Sequence, residues 1–112
     1  MPLQHELIVY GRTTYCPYLD IAHTVLADHK IPYREIMIDQ DPEAAGRVIA
    51  WTGFRSVPTI LVAEPGRDVP VEDPSPLAKG ASPRGIDRGS MITEASADEL
   101  IPWLKRHGFI SG

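Results

Sequence analysis

The chain contains 112 residues with a formal net charge of -4, and 43% of its residues are hydrophobic. This length predicts a single domain over residues 1–112 that buries roughly two-thirds of its unfolded surface and needs no metal or disulfide for stability. The acidic balance, with no basic run, argues against a nucleic acid partner, and no stretch is apolar enough to cross a membrane.

The first third of the chain predicts a strand, a helix and a second strand. Residues 7–10 are a short apolar run of β-favouring residues. After a polar loop, the pattern from Cys16 becomes helical, and Pro17 is suited to the first helical position. The spacing i, i+3, i+4 and i+7 is followed by Leu19, Ala22, His23 and Leu26. Pro32 closes this helix, and residues 33–38 form the second strand. A strand–helix–strand unit of this length is a right-handed crossover, so the two strands should be parallel.

The middle of the chain predicts a second helix, a third strand and a long connection. The helix covers residues 42–52, begins at an Asp41 cap and ends at Gly53. The third strand covers residues 57–62. Residues 64–88 contain five prolines and three glycines without a sustained period, and we expect them to form a long surface excursion.

The last part of the chain predicts a fourth strand over residues 90–93 and a final helix. Ser96 and Glu99 form a capping box that opens this helix. The complete order of elements predicts an α/β protein of the thioredoxin-fold type. In that fold a four-stranded mixed sheet has the order β2-β1-β3-β4, numbered along the chain, and three helices flank it. Residues 64–88 are then a Pro-rich insertion between the third and fourth strands.

The single cysteine, Cys16, lies where a loop becomes a helix. The free amides and the positive dipole end of that helix favour a thiolate, which is the species that attacks a disulfide sulfur. Arg12, four residues earlier, is expected to add positive potential and to be one of the residues that bind a small thiol. The alternative is a small buried hydrophobic residue, the usual role of a lone cysteine. The Cys-Pro start of a helix after a strand and a polar loop favours a functional thiol.

Two segments of the sequence resemble glutaredoxins. Residues 10–18, Tyr-Gly-Arg-Thr-Thr-Tyr-Cys-Pro-Tyr, are similar to their active-site segment, and residues 56–59, Ser-Val-Pro-Thr, are similar to their Thr-Val-Pro segment. The resemblance implies that Pro58 is cis and lies beside the cysteine, and that the Val57 backbone hydrogen-bonds the peptide part of glutathione. It also implies that Tyr18 flanks the thiol and packs on the bound peptide. The stretch from residue 89 to residue 100 is most similar to the actinobacterial mycoredoxin branch.

The sequence departs from the glutaredoxin pattern in two places. Leu19 stands where the Cys-Pro-Tyr-Cys motif carries its second, resolving cysteine, so no internal disulfide can close. The Gly-Gly pair that often precedes the last helix is absent. Its nearest counterpart is the start of that helix, where the amides of Ser96, Ala97 and Asp98 are expected to receive a carboxylate of the small thiol.

These features predict an enzyme, a monothiol thiol-disulfide oxidoreductase working through Cys16. Its expected co-substrate is glutathione or an analogous low-molecular-weight thiol, and its expected partners are glutathionylated or similarly thiolated proteins. No metal is expected, because the histidines and the cysteine lack ligand spacing. With one cysteine and no signal-like segment at the N-terminus, we expect a cytoplasmic monomer.

Two alternative functions remain open from the sequence. The first is a carrier of a [2Fe–2S] cluster, held between two chains by their cysteines and two small thiols, which Pro17 is expected to hinder. The second is a non-catalytic thioredoxin-fold module that binds a partner through residues 64–88.

Overall fold

The computed structural model describes residues 5–78 and 80–110. The remaining positions of the predicted domain, 1–4, 79 and 111–112, lie outside the described residues. Within the described part, the chain forms β1 (Glu6–Gly11), α1 (Pro17–Asp28), β2 (Arg34–Met37), α2 (Pro42–Thr52), β3 (Thr59–Ala63), β4 (Met91–Thr93) and α3 (Ala97–Arg106).

The strands form one mixed sheet in the order β2-β1-β3-β4, as predicted. β1 and β2 are parallel, because α1 carries the chain back over the sheet between them. β3 is antiparallel to β1, and β4 is antiparallel to β3. The thioredoxin fold predicted from the order of elements is therefore confirmed.

Consecutive residues at the end of β1 show which helix covers each face of the sheet. Tyr10 packs edge-on against Trp51 of α2, with ring centroids 5.5 Å apart. Gly11 faces α1, because a Cβ at this position would lie 3.0 Å from the Leu19 side chain. Successive side chains of a strand point to opposite faces, so α2 covers one face and α1 the other. α3 packs on α1 and shares its side of the sheet.

All four strands differ from their predicted ranges at one or both ends, and β4 begins at Met91 and not at residue 90. β1 includes Gly11 instead of ending before it, and β2 is limited to Arg34–Met37. β3 begins at Thr59 and not at residue 57, because Pro58 has no N–H to donate to a neighbouring strand. The predicted ends of α2 are confirmed: the Asp41 carboxylate accepts two helix amides, and Gly53 ends the helix with φ +82°.

The excursion, residues 64–88, runs largely over the surface as predicted but is fastened at both ends. Near its start, the Arg34 guanidinium of β2 donates to Asp68 at 2.9 Å. Near its end, Arg88 is only 5% exposed. The Arg88 guanidinium donates to the carbonyl of Ser75 at 2.7 Å and to the carbonyl of Trp51 at 2.5 Å. The excursion is therefore part of the packed domain.

The end of α3 holds the turn that leads into β4. The indole N–H of Trp103 donates to the Gly89 carbonyl at 2.9 Å, and His107 Nε2 lies 2.8 Å from the same oxygen. The His107 ring packs on Trp103 with centroids 4.6 Å apart. Burial lowers the pKa of His107, and nearby Arg106 acts in the same direction, whereas the bond to Gly89 opposes it.

This lowered pKa predicts a loss of stability in mild acid. Above about pH 6.5, the pKa of histidine in an unfolded chain, both states hold a neutral ring and stability is full. As the pH falls towards the lower folded-state pKa, the unfolded chain takes up the proton first, and the free energy of unfolding decreases. Urea unfolding at about pH 7.5 and about pH 5 should show a larger loss for the wild type than for His107→Gln, which keeps an N–H donor. Equal losses in the two proteins would contradict this assignment.

Candidate active site

Cys16 lies at the N-terminal cap of α1, as the sequence predicts. Pro17 occupies the first helical position, and the Asp20 amide donates to the Cys16 carbonyl at 3.0 Å. Tyr10 of β1 pairs with Thr59 of β3, so the loop after β1 and the segment before β3 leave the sheet at the same end. This register places the Cys16 sulfur 3.5 Å from the Val57 carbonyl oxygen.

A cis peptide bond and a backbone hydrogen bond fix the conformation of the segment before β3. The Val57–Pro58 peptide bond is cis, as expected from the resemblance. The Pro58 carbonyl accepts the Glu94 amide at 2.8 Å, which ties the segment to the connection between β4 and α3. Cys16 is 6% exposed and Val57 is 4% exposed, so the thiol is buried against this segment at the edge of the hydrophobic core and not on a protruding loop.

The loop before Cys16 is braced by charged side chains. The Asp39 carboxylate accepts both the amide and the hydroxyl of Thr13. These two bonds, the hydroxyl first, lower the pKa of Asp39, and the positive charge of Arg12 contributes in the same direction. Arg12 itself donates to the Tyr15 carbonyl at 2.8 Å. The predicted basic residue is therefore attached to the backbone immediately before the cysteine.

Leu19 fills the position of the missing resolving cysteine and belongs to the core. It is 4% exposed and lies against the bare Cα of Gly11. His23, one turn further along α1, binds Glu35 and stacks on Tyr33. Both side chains therefore make structural contacts within the domain. Neither can resolve a disulfide at Cys16, because Cys16 is the one cysteine of the sequence.

The amide of Ser96, predicted to receive a ligand carboxylate, is already occupied. It donates to the Glu99 carboxylate at 2.8 Å, which is the reciprocal half of the capping box. Ala97 instead lines a groove of about 270 Å³ between α1 and the start of α3, together with four residues of α1: Asp20, Ile21, Thr24 and Val25. The start of α3 therefore borders an apolar groove and has one amide fewer for an anion than predicted.

The sequence analysis missed a charged residue at this site, Arg84 of the excursion. Its guanidinium carbon lies 5.3 Å from the centre of the Tyr18 ring, two residues after the cysteine. Its Nε donates to a Glu94 carboxylate oxygen at 2.9 Å. Residues 64–88 have no periodicity from which this placement could be read. The only signal in the sequence is an arginine flanked by Pro83 and Gly85.

The described residues include neither a cluster of metal ligands nor a membrane-spanning helix. Across residues 5–78 and 80–110, no three His, Cys, Asp or Glu side chains gather as metal ligands would. Within the same ranges, no helix combines the length and apolar character required to span a bilayer.

The sheet order, with a cysteine at the start of α1 beside a cis proline before β3, defines the class of thioredoxin-fold proteins. Comparison with protein families narrows the class. The family model described as glutaredoxin matches residues 7–64, which is more than half of the chain. The chain belongs to the glutaredoxin family, and a glutaredoxin-like redox function follows from that membership.

Two solved structures are similar to this chain over most of its length. The buckwheat glutaredoxin–glutathione complex is 19% identical, with a TM-score of 0.49, and the match covers 97% of this chain and 84% of that one. A mutated buckwheat glutaredoxin is 20% identical, with a TM-score of 0.47, and the match covers 94% and 81%. No curated protein sequence matches the chain.

Proposed function

We propose that this protein is a monothiol thiol-disulfide oxidoreductase that removes a small thiol from thiolated proteins. The observation that carries the proposal is the placement of the Cys16 sulfur, 3.5 Å from the Val57 carbonyl at the start of α1. The co-substrate is glutathione or, as the similarity of the chain after residue 89 to mycoredoxins implies, an analogous small thiol.

The proposed reaction has two exchange steps that balance without an added oxidant. In the first, the Cys16 thiolate attacks the sulfur of the small thiol in the mixed disulfide. The protein substrate leaves as a thiolate and takes up a proton, and Cys16 is left bonded to the small thiol. In the second, another small-thiol anion attacks that bound sulfur. Cys16 is released, and the disulfide of the small thiol forms, so two small-thiol groups provide the two electrons.

The start of α1 supplies the groups that would stabilise the thiolate. Pro17 has no N–H, so the unpaired amides of the first turn are those of Tyr18 and Leu19. The Cys16 side chain makes no hydrogen bond to them, and its sulfur lies at hydrogen-bond distance from the Val57 carbonyl. A thiolate cannot donate, so ionisation favours rotation of the sulfur from that carbonyl towards the two amides. The Val57 carbonyl is then free to accept an N–H of the bound thiol.

The residues next to Cys16 are compatible with thiolated proteins as partners. The single cysteine favours a reducing compartment, which we propose to be the cytoplasm. Tyr15, directly before the cysteine, is 74% exposed and offers an apolar contact to a protein substrate. The chain has one cysteine, so a mixed disulfide with a protein has no internal resolver. A steady supply of small thiol is therefore required for turnover.

Two substrates test the monothiol mechanism. The wild-type protein, supplied with glutathione, should release glutathione from a glutathionylated protein but reduce the disulfides of insulin slowly. Leu19→Cys should gain insulin reduction, because a cysteine three residues after Cys16 can resolve the protein-bound intermediate. Leu19→Ala is the matched control: like the cysteine variant it removes Leu19 packing at an expected cost of about 2–5 kcal/mol, but it adds no thiol.

The three proteins distinguish failure of the proposed function from failure of the monothiol mechanism. Failure of the wild type to release glutathione would overturn the proposed function. Rapid insulin reduction by the wild type, at the rate of Leu19→Cys, would overturn the monothiol part alone. Insulin reduction gained by Leu19→Ala as well would show that a loosened site, and not a resolving thiol, is responsible.

A further inference from the structure

We infer that Arg84 of the excursion receives a carboxylate of the small thiol and makes the protein selective for thiols that carry one. This inference rests on the proposed function and names the substrate class for the same site. The residue lies outside the segment that matches the glutaredoxin family model, residues 7–64.

Two backbone carbonyls connect the thiol to the junction between β4 and α3. The Cys16 sulfur lies 3.5 Å from the Val57 carbonyl. The next carbonyl, that of Pro58, accepts the Glu94 amide at 2.8 Å. Glu94 has a positive φ of 48°, which marks the tight turn from β4 towards α3 at this point. Glu94 is therefore linked to the cysteine segment through one hydrogen bond.

Arg84 connects that junction to the cysteine helix. A Glu94 carboxylate oxygen accepts Nε of Arg84 at 2.9 Å, and the Arg84 guanidinium lies over the Tyr18 ring. Tyr18 is in the first turn of the helix that Cys16 caps. The contacts thus lead from the cysteine segment through Glu94 and Arg84 back to the cysteine helix, and Arg84 is the cationic residue among them.

Contacts with Glu94 and Tyr18 orient the Arg84 guanidinium, and its two terminal nitrogens can still bind an anion. Its Nε is used by Glu94, and its plane is supported by Tyr18, whereas Nη1 and Nη2 make no hydrogen bond within residues 5–78 and 80–110. The Arg84 side chain is 61% exposed, and the Glu94 side chain is 15% exposed. The bond to Glu94 raises the pKa of Arg84, so the group stays cationic. An arginine held at one edge presents its remaining donors in the geometry that a carboxylate accepts.

The backbone around Arg84 fixes its position. The Gly85 amide donates to the Thr93 carbonyl at 2.7 Å, which pairs this part of the excursion with the end of β4. Gly85 has φ +71°, a left-handed conformation that favours glycine, and its backbone approaches the Glu99 carboxylate of α3. This approach sets Arg84 beside the cysteine helix.

The charges at this junction explain why a cation is needed. Three acidic residues lie here: Glu94, Asp98 and Glu99. The Glu99 carboxylate already accepts the hydrogen bond of the Ser96 amide, which was expected to bind an anion. Without Arg84, an anionic group of a bound thiol would meet net negative charge here. With Arg84, a carboxylate has a donor pair beside Tyr18, whereas a neutral thiol gains nothing from it.

The rate at which Cys16 forms a mixed disulfide tests the inference without requiring turnover. Mass spectrometry would follow the reaction of the reduced protein with glutathione disulfide, which carries carboxylates, and with 2-hydroxyethyl disulfide, which carries none. Arg84→Ala should lower the ratio of the two rate constants roughly fivefold, acting only on the glutathione rate. Arg84→Lys should keep part of the preference, since it keeps the charge but loses the paired donors. The preference of the wild type should shrink in about 0.5 M salt.

Lys105→Ala is the charge-matched control, because it removes one exposed positive charge at the far end of α3. It should leave the ratio at the wild-type value. An unchanged ratio in Arg84→Ala, or an equal fall in both of its rates, would overturn the inference while the proposed function stands. No mixed disulfide with either reagent in the wild type would overturn both.

Discussion

Replacing Cys16 by serine should lower the release of glutathione from a glutathionylated protein by roughly a thousandfold or more. A serine hydroxyl cannot form the covalent sulfur–sulfur intermediate on which both proposed exchange steps depend. The chain has only one cysteine, so no second thiol can take over. The measurement is steady-state release of glutathione, followed by mass spectrometry of the substrate.

Serine is close to cysteine in size, and the Cys16 side chain makes no hydrogen bond to the helix amides. The substitution should therefore leave the fold intact, and circular dichroism with urea unfolding serves as its control. The hydroxyl remains able to donate to the Val57 carbonyl, as the thiol does. Release of glutathione at the wild-type rate by this well-folded variant would rule out Cys16 as the nucleophile.

Replacing Trp103 by alanine should lower the free energy of unfolding by about 3–5 kcal/mol. Trp103 is 1% exposed, so its removal leaves a large cavity in the hydrophobic core. Its indole N–H also donates to the Gly89 carbonyl, two residues before β4. A domain of this size is stable by about 5–15 kcal/mol, so the variant should be marginal. Urea unfolding near neutral pH measures the difference.

Trp103→Phe separates the two contributions of the side chain. It keeps most of the buried aromatic volume but removes the N–H donor, and His107 Nε2 remains beside the Gly89 carbonyl. Its cost should be about 1–2 kcal/mol, clearly smaller than that of Trp103→Ala. Equal costs for the two variants would show that the hydrogen bond, and not the packing, carries the effect.

The capping box of α3 illustrates how one sequence signal can support two incompatible expectations. Ser96 and Glu99 predict the start of the helix, and α3 begins directly after Ser96. The same pair commits the Ser96 amide to the Glu99 carboxylate, so that amide is not free for a ligand. The second consequence follows from the first and was available in the sequence.

The order of the elements and the place of the cysteine were determined by the sequence itself. The apolar run at residues 7–10 predicts a buried strand. Asp41 caps the start of α2, and Gly53 ends it with a positive φ. Cys16 precedes Pro17, and the Cys-Pro pair lies where a helix must begin. Such signals act over a few residues, so they can be read without knowing what packs against them.

Only the tertiary structure decided which charged group stands beside the thiol. Tyr18 and Arg84 are separated by 66 positions along the chain, and the excursion that carries Arg84 has no repeating pattern. Its placement depends on the pairing of Gly85 with Thr93 and on the close approach of Gly85 to Glu99. Those contacts join residues that β4 and α3 bring together, so they depend on tertiary packing and not on local backbone preference.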